Sequence, residues 1–184
     1  MTTEEYAKEH LFREIKEIEN SNRLNVLTEL TVYEKAIIYK YSEDGYLDLN
    51  EKLRLSEGED ISIFGLILDE CLRKLPDYQD VVYRGESLTD FELETYRLAF
   101  NNNELVRKYF FASSSESRSK AYEWCNKKNR VLLEIFSFSG KAIELVSKYP
   151  AEKEILFRYN SDFWVDDFIF DEEKNLYLIT KIEI

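Results

Sequence analysis

Three short runs place chemically capable side chains within about 70 residues of one another. The densest is Ser147-Lys148-Tyr149-Pro150-Ala151-Glu152-Lys153-Glu154-Ile155-Leu156-Phe157. On a strand, residues i and i+2 share a face, so Glu152 and Glu154 are expected to point the same way with Lys153 opposite. Their Cα atoms would then lie roughly 6.6 Å apart at ~3.3 Å rise per residue. Two carboxylates side by side can stabilise positive charge at a sugar carbon and hold a basic acceptor, the physics of glycoside cleavage. A solvated strand of alternating charge shows the same pattern. The second run, Phe111-Ala112-Ser113-Ser114-Ser115, sets hydroxyls at the end of an expected strand. There they can reach ribose hydroxyls or orient a neighbouring carboxylate, or Ser115 or Ser117 can simply cap the helix that follows. The third, Val81-Val82-Tyr83-Arg84-Gly85, brings an arginine out of an apolar strand with a glycine behind it. A guanidinium takes phosphate oxygens bidentately and a glycine allows close backbone approach, which suits a diphosphate; a structural salt bridge is the other use of such an arginine in so acidic a chain.

The elements that must position these groups fall into two regimes that change near Pro76. From Glu4 to Leu75 apolar residues recur at helical spacing (Leu11, Ile15, Ile18; Val32, Ala36, Ile37; Ile61, Phe64, Leu68, Leu72), which predicts four helices. Breaks are expected at Asn20–Asn22, Ser42–Gly45 and Ser56–Asp60, with Thr3 and Asp60 as N-caps. From Asp80 onward short β-branched and aromatic runs predict strands at 81–83, 109–111, 131–138, 154–157, 163–170 and 176–184. Helices are expected at 117–127 and 89–100. The 184 residues are expected to form one domain, with a helical part over 1–76 and a β-rich part over 77–184.

Composition excludes several alternatives. Acidic residues outnumber basic ones by 37 to 25, and the formal net charge of −12 repels nucleic acid and anionic membrane surfaces. With one histidine, His10, and two cysteines, Cys71 and Cys125, a Ser-His-Asp or Cys-His arrangement in the main body and a four-ligand Cys/His zinc site are ruled out. Two cysteines are no disulfide framework. No apolar run approaches the ~20 residues of a membrane-spanning helix. The first ten residues lack the basic and apolar regions of a secretory leader. The expectation is a soluble protein, cytoplasmic or delivered by a route other than a classical leader.

Taken in order, the arginine, the serine run and the Glu-X-Glu pair resemble the mono-ADP-ribosyltransferases of the arginine-serine-glutamate class. These include bacterial ADP-ribosylating toxins and arginine-specific NAD:protein ADP-ribosyltransferases. Their members carry an aromatic-Arg strand end, a Phe-X-Ser-Thr-Ser strand and a Glu/Gln-X-Glu strand. Tyr41, Tyr46, Asn50, Leu53 and Arg54 are similar to the tyrosine and Ile-Asn-X-X-Leu-Arg pattern of binary-toxin enzyme components, so the resemblance covers roughly residues 30–184. Gly140-Lys141-Ala142-Ile143, ahead of Ser147-Lys148-Tyr149-Pro150, is similar to the lead into the family's acceptor-recognising turn. Ser114 stands where the family has threonine; it keeps the hydroxyl and loses a strand-favouring methyl. At the first acidic position the family pairs Gln with asparagine or other acceptors and Glu with arginine, and this chain has Glu152. A guanidinium whose pKa exceeds ~12 needs a carboxylate to attract and partly deprotonate it.

The resemblance implies an α+β fold in which N-terminal helices pack on two facing, mainly antiparallel sheets around an NAD cleft. It implies transfer of ADP-ribose from NAD to a protein arginine with release of nicotinamide, and no metal. Arg84, with Gly85 behind it, would bind the diphosphate. Ser113 would position Glu154 and the ribose, with Ser115 beside it. Glu154 would hold the ribose 2′-hydroxyl and stabilise the oxocarbenium ion, and Glu152 would engage the guanidinium. Tyr41, Tyr46 and Asn50 would line the adenine and phosphate side, Trp124 would flank the nicotinamide, and Tyr149 would touch the target protein. The implied partners are a target protein with an accessible arginine and a cognate immunity protein, without nucleic acid. The readings from other classes are an NAD glycohydrolase or glycosidase-like hydrolase and an inactive binding module of the same fold.

Overall fold

The computed structural model describes residues 1–126 and 128–184. In the first part, capping side chains set where helices begin. Thr2 and Glu5 form a capping box at α1 (Thr3–His10), one residue earlier than the expected cap at Thr3. The chain turns at Leu11 before α2 (Phe12–Glu19), so one expected helix is two. Thr31 and Glu34 box the start of α3 (Val32–Lys40). The expected break at Ser42–Gly45 is instead a π-helical turn, Tyr41–Gly45, that runs straight into α4 (Tyr46–Leu55). Ser42 donates to the Tyr39 carbonyl at 2.9 Å, the backbone contact by which a serine loosens a helix without ending it. The turn also requires Gly45, where a Cβ would lie 2.9 Å from the Lys40 carbonyl oxygen and 3.1 Å from the Phe64 ring. Ser62, not Asp60, caps α5 (Ile63–Arg73).

Eight strands follow: β1 (Val81–Ser87), β2 (Leu105–Lys108), β3 (Ala112–Ser115), β4 (Arg130–Phe136), β5 (Lys141–Ala142), β6 (Glu154–Phe157), β7 (Ser161–Asp171) and β8 (Leu176–Glu183). Helix α6 (Asp90–Asn102) follows β1 and α7 (Arg118–Glu123) follows β3. The expected helix over 117–127 is shorter, and its last position, Lys127, lies outside the described residues. The expected strand at Tyr109–Phe111 is a connector. The Phe111 ring packs between Tyr41 and Tyr159, with centres 5.8 and 5.4 Å away, while the short charged segment before it pairs as β2 on the sheet edge.

Where two facing sheets were expected, the hydrogen bonds run through as one open sheet in the order β2-β7-β8-β4-β1-β3-β6-β5. It is nonetheless divided: a wing of five strands and a wing of three meet at one register pair, Tyr83 with Ser115. All pairings are antiparallel except β4 with β8. One apolar core runs from Ala7 and Ile18 in the helices to Phe157 and Ile179 in the sheet, and a smaller cluster around Ala121, Cys125, Leu132 and Leu176 lies under α7. No helix among the described residues is long and apolar enough to cross a membrane.

Candidate active site

The site forms where the two wings join. On β1 the Arg84 Nε donates to Glu86 Oε1 at 2.6 Å, and Nη1 donates across the joint to the Ser113 carbonyl. Gly85 behind it is required by packing, since a Cβ there would lie 1.9 Å from the Ala121 carbonyl oxygen. Its absence lets α7 lie directly on β1, and the C-cap residue of that helix, Trp124, reaches the cleft.

The three serines of β3 do different work. Ser113 lines the cleft beside Tyr41 and hydrogen-bonds the Glu154 carboxyl. Ser114 donates to the Ile155 carbonyl at 2.7 Å, adding to the β3–β6 pairing. Ser115 is fully buried and outside the cleft; it donates to the Glu152 carbonyl at 2.6 Å and accepts from the Ser117 N–H at 3.0 Å. Of the eleven residues expected at the site, Ser115 alone does not line the cavity that the others share.

Glu152 and Glu154 do not share a strand face, contrary to the spacing argument. Tyr149-Pro150 starts a short 3-10 turn over Pro150–Glu152, Lys153 adopts a left-handed backbone with φ 48°, and β6 begins only at Glu154. Both side chains still line one cavity. Glu154 is 5% exposed. Burial pushes its pKa up to about 7, with the Glu152 charge adding to the rise and Ser113 and Arg84 opposing it. Burial also raises the Glu152 pKa, against the pull of Lys120.

The helices supply the opposite wall. Asn50 locks the segment leading into β3: Nδ2 donates to the Phe111 carbonyl at 3.0 Å and Oδ1 accepts from the Phe111 N–H at 3.1 Å. Nδ2 also meets the Tyr41 hydroxyl at 3.2 Å, which itself donates to the Phe111 carbonyl at 3.2 Å. Burial and the Glu154 charge push the Tyr41 phenol up, so it stays protonated. Tyr46 packs edge-on against Tyr41 with ring centres 6.2 Å apart. The turn bearing Tyr149 is tied to the helices by Arg23, which donates to the Ser147 carbonyl, and by the Lys148 N–H, which donates to Ser42 Oγ at 2.8 Å.

These residues surround a cavity of about 320 Å³. A second cavity of about 680 Å³, floored by β1 and β2 and roofed by α6, opens from it; Arg54, Arg84, Gly85 and Trp124 line both. Arg54 is the residue that sequence reasoning left without a role. It stacks on Phe110, 3.9 Å from the ring centre, and burial beside Arg84 lowers its pKa. Its only sequence signal is its place at the end of the Asn50-X-X-Leu53-Arg54 pattern. No group of three His, Cys, Asp or Glu side chains among the described residues could hold a metal.

An arginine, a serine and a buried glutamate at the joint of a split sheet define a class, and the comparisons agree. The chain belongs to the ADP-ribosyltransferase exoenzyme family, whose model matches residues 9–183. It is 34% identical over 151 residues to the "Putative NAD(+)--arginine ADP-ribosyltransferase Mav" of Mycobacterium avium (strain 104), which covers 80% of this chain. The chain spans 18% of that relative's length. In fold it is similar to the ADP-ribosyltransferase HopU1 of Pseudomonas syringae pv. Tomato DC3000, with a TM-score of 0.80 and 18% identity over 92% of this chain and 85% of that one. It is also similar to exoenzyme S of Pseudomonas aeruginosa, solved with human 14-3-3 protein beta and carba-NAD, with a TM-score of 0.74 and 18% identity over 98% and 86% of the two chains. The ADP-ribosyltransferase Vis, solved with agmatine, aligns with a TM-score of 0.69 at 20% identity over 96% and 86%.

Proposed function

We propose that this chain is the catalytic domain of an NAD-dependent mono-ADP-ribosyltransferase that modifies arginine, acting as part of an exported toxin or effector on a protein target. The observation that carries the reading is the placement of Glu154, buried, bonded to Ser113 and sharing one cavity with Glu152 and Arg84. The donor set fits NAD. Two guanidinium groups, Arg54 and Arg84, stand at the neck between the two cavities, where a diphosphate with a nucleoside on either side would place its charge. Trp124 lines both sides of the neck and offers a stacking surface.

Each side chain then has a physical task. Arg84, tied to both wings, presents a fixed guanidinium to phosphate oxygens. Glu154 sets a buried negative charge against the positive charge that develops at the ribose C1′ as its bond to nicotinamide breaks. Ser113 orients that carboxylate. Glu152 draws the acceptor guanidinium to the same cavity and takes its proton as the new C1′–N bond forms; burial makes it a stronger base than a free carboxylate. Tyr149, about half exposed beside Glu152, is placed to meet the target surface.

The reading is tested with NAD and agmatine, a small guanidine. Nicotinamide and ADP-ribosyl-agmatine should appear together, and Arg84→Lys should raise the Kd for NAD although the charge is kept. A wild-type chain that releases no nicotinamide from NAD overturns the reading; release without modification of agmatine makes it a glycohydrolase.

A further inference from the structure

Behind Arg84 lies a charged cluster that the reaction as outlined leaves unused. Glu86 follows Arg84 by two residues on β1 and so lies on the same face of the strand. Its Oε1 accepts from Arg84 Nε, and its Oε2 lies 3.6 Å from Lys108 Nζ on β2. From β8 comes Lys181, 1% exposed, its ammonium 4.0 Å from the Phe163 ring centre and 5.6 Å from that of Tyr96. Lys108 faces the same Tyr96 ring from 5.1 Å. Three basic side chains therefore surround one carboxylate inside an otherwise acidic protein, with burial and the Lys108 charge pushing the Lys181 pKa well below its ordinary value. Burial alone would neutralise Glu86, but Lys108, Arg84 and Lys181 outweigh it and hold its pKa at about 2.

Burying such a group is costly, and a hydrophobic filler would serve stability as well or better, so the cluster calls for a use in the geometry it enforces. That geometry is the plane of one guanidinium. Arg84 is held at Nε by Glu86 and at Nη1 by the Ser113 carbonyl on the other wing, and among the described residues Nη2 has no hydrogen bond. We propose that Glu86 is a positioning residue for the donor, fixing the plane of Arg84 so that its remaining N–H groups face the neck between the cavities, with Lys108 and Lys181 acting through Glu86. The proposal rests on the reading of Arg84 as a diphosphate ligand.

The test uses the 184-residue chain, titrated calorimetrically with NAD. Glu86→Gln keeps the shape and removes the charge; Glu86→Asp keeps the charge and shortens the reach. Both are expected to weaken NAD binding about tenfold or more, the scale of one charge-assisted hydrogen bond. The loss should appear in KM, with kcat for nicotinamide release near wild type at saturating NAD. In an Arg84→Lys background, Glu86→Gln should add less than about a twofold further loss, because the effect travels through Arg84. Additive losses, or wild-type affinity in Glu86→Asp, overturn the proposal. Should Glu86→Gln not fold, with Arg84 and Lys108 left without their carboxylate, Glu86→Asp decides on the same criterion. A second readout does not involve NAD: solvent exchange of the Arg84 Nε–H, followed by NMR, should be slow in the wild type and about tenfold or more faster in Glu86→Asp. If the wild type fails to bind NAD, the reading of the donor site falls while this signal still judges Glu86, and unchanged protection of Nε–H overturns the positioning role.

Discussion

Glu152 and Glu154 meet in one cavity from different kinds of backbone, Glu152 closing a 3-10 turn and Glu154 opening strand β6, with left-handed Lys153 between them. The two carboxylates are therefore held by separate supports. Glu154 is fixed by the sheet and Ser113, and Glu152 by a turn whose last carbonyl is bonded by Ser115.

This separation makes the two losses distinguishable. Glu152→Gln should abolish ADP-ribosylation of agmatine while a good part of the slow hydrolysis of NAD survives, since water needs no carboxylate to attract it. Quantifying nicotinamide and modified agmatine in the same reaction decides it. A fall of both to the level of Glu154→Gln places Glu152 in the donor site instead.

The rate should follow Glu154 ionisation. Its pKa of about 7 in the free protein means that kcat/KM for nicotinamide release falls about tenfold per pH unit below about 7 and levels above it. Glu154→Gln should lose at least about 10²-fold, with the wild-type acid limb gone. A wild-type profile flat between pH 5 and about 8 argues against the carboxylate as the group that must be charged.

Stability should move the other way. The folded pKa of Glu154 lies above its ordinary 4.5, so folding favours the protonated form. The contribution is fully present below about 4.5 and is lost as pH rises through about 7, amounting to about 3 kcal/mol at pH 8. Glu154→Gln should then melt roughly 6–12 °C above the wild type at pH 8 and at about the same temperature near pH 4.5. Calorimetric melts at the two pH values provide the check; an unchanged Tm at pH 8 would mean that the buried charge is already compensated.

Gly85→Ala should cost at least about 1–3 kcal/mol, because its Cβ would meet backbone, the Ala121 carbonyl, which cannot rotate away. Relief requires α7 to lift from β1, carrying Trp124 with it. A lowered Tm and weaker NAD binding together are the expected result, measured by melting and calorimetry.

The sequence was most legible where side-chain type alone decides position. Arg84 and Glu154 fall on β1 and β6, where β-branched and aromatic runs favour extended backbone, while the serine run is itself strand β3. It was least legible where backbone choices turn on distant partners. The 3-10 turn before β6 could not be told from strand, since Lys153 enters its left-handed conformation with no glycine to announce it. The π-helical turn at Tyr41–Gly45 reads locally as a break, and only packing against Phe64 shows why Gly45 continues the helix. Ser115 carries the same side chain as Ser113, and its removal from the cleft depends on the Glu152 carbonyl lying opposite it. The edge strand β2 is four residues long and draws its definition from β7, more than fifty residues downstream.

The single register pair between the wings divides the candidate site as well as the sheet. Arg84, Glu86, Lys108 and Lys181 belong to the five-strand wing, while Ser113 and Glu154 belong to the three-strand wing. The residues proposed to hold the donor and those proposed to act at its ribose thus sit in two wings whose strands pair only at Tyr83 and Ser115. The stitch, the Arg84 bond to the Ser113 carbonyl beside it and helix α7, which packs on both β1 and β3, answer to both.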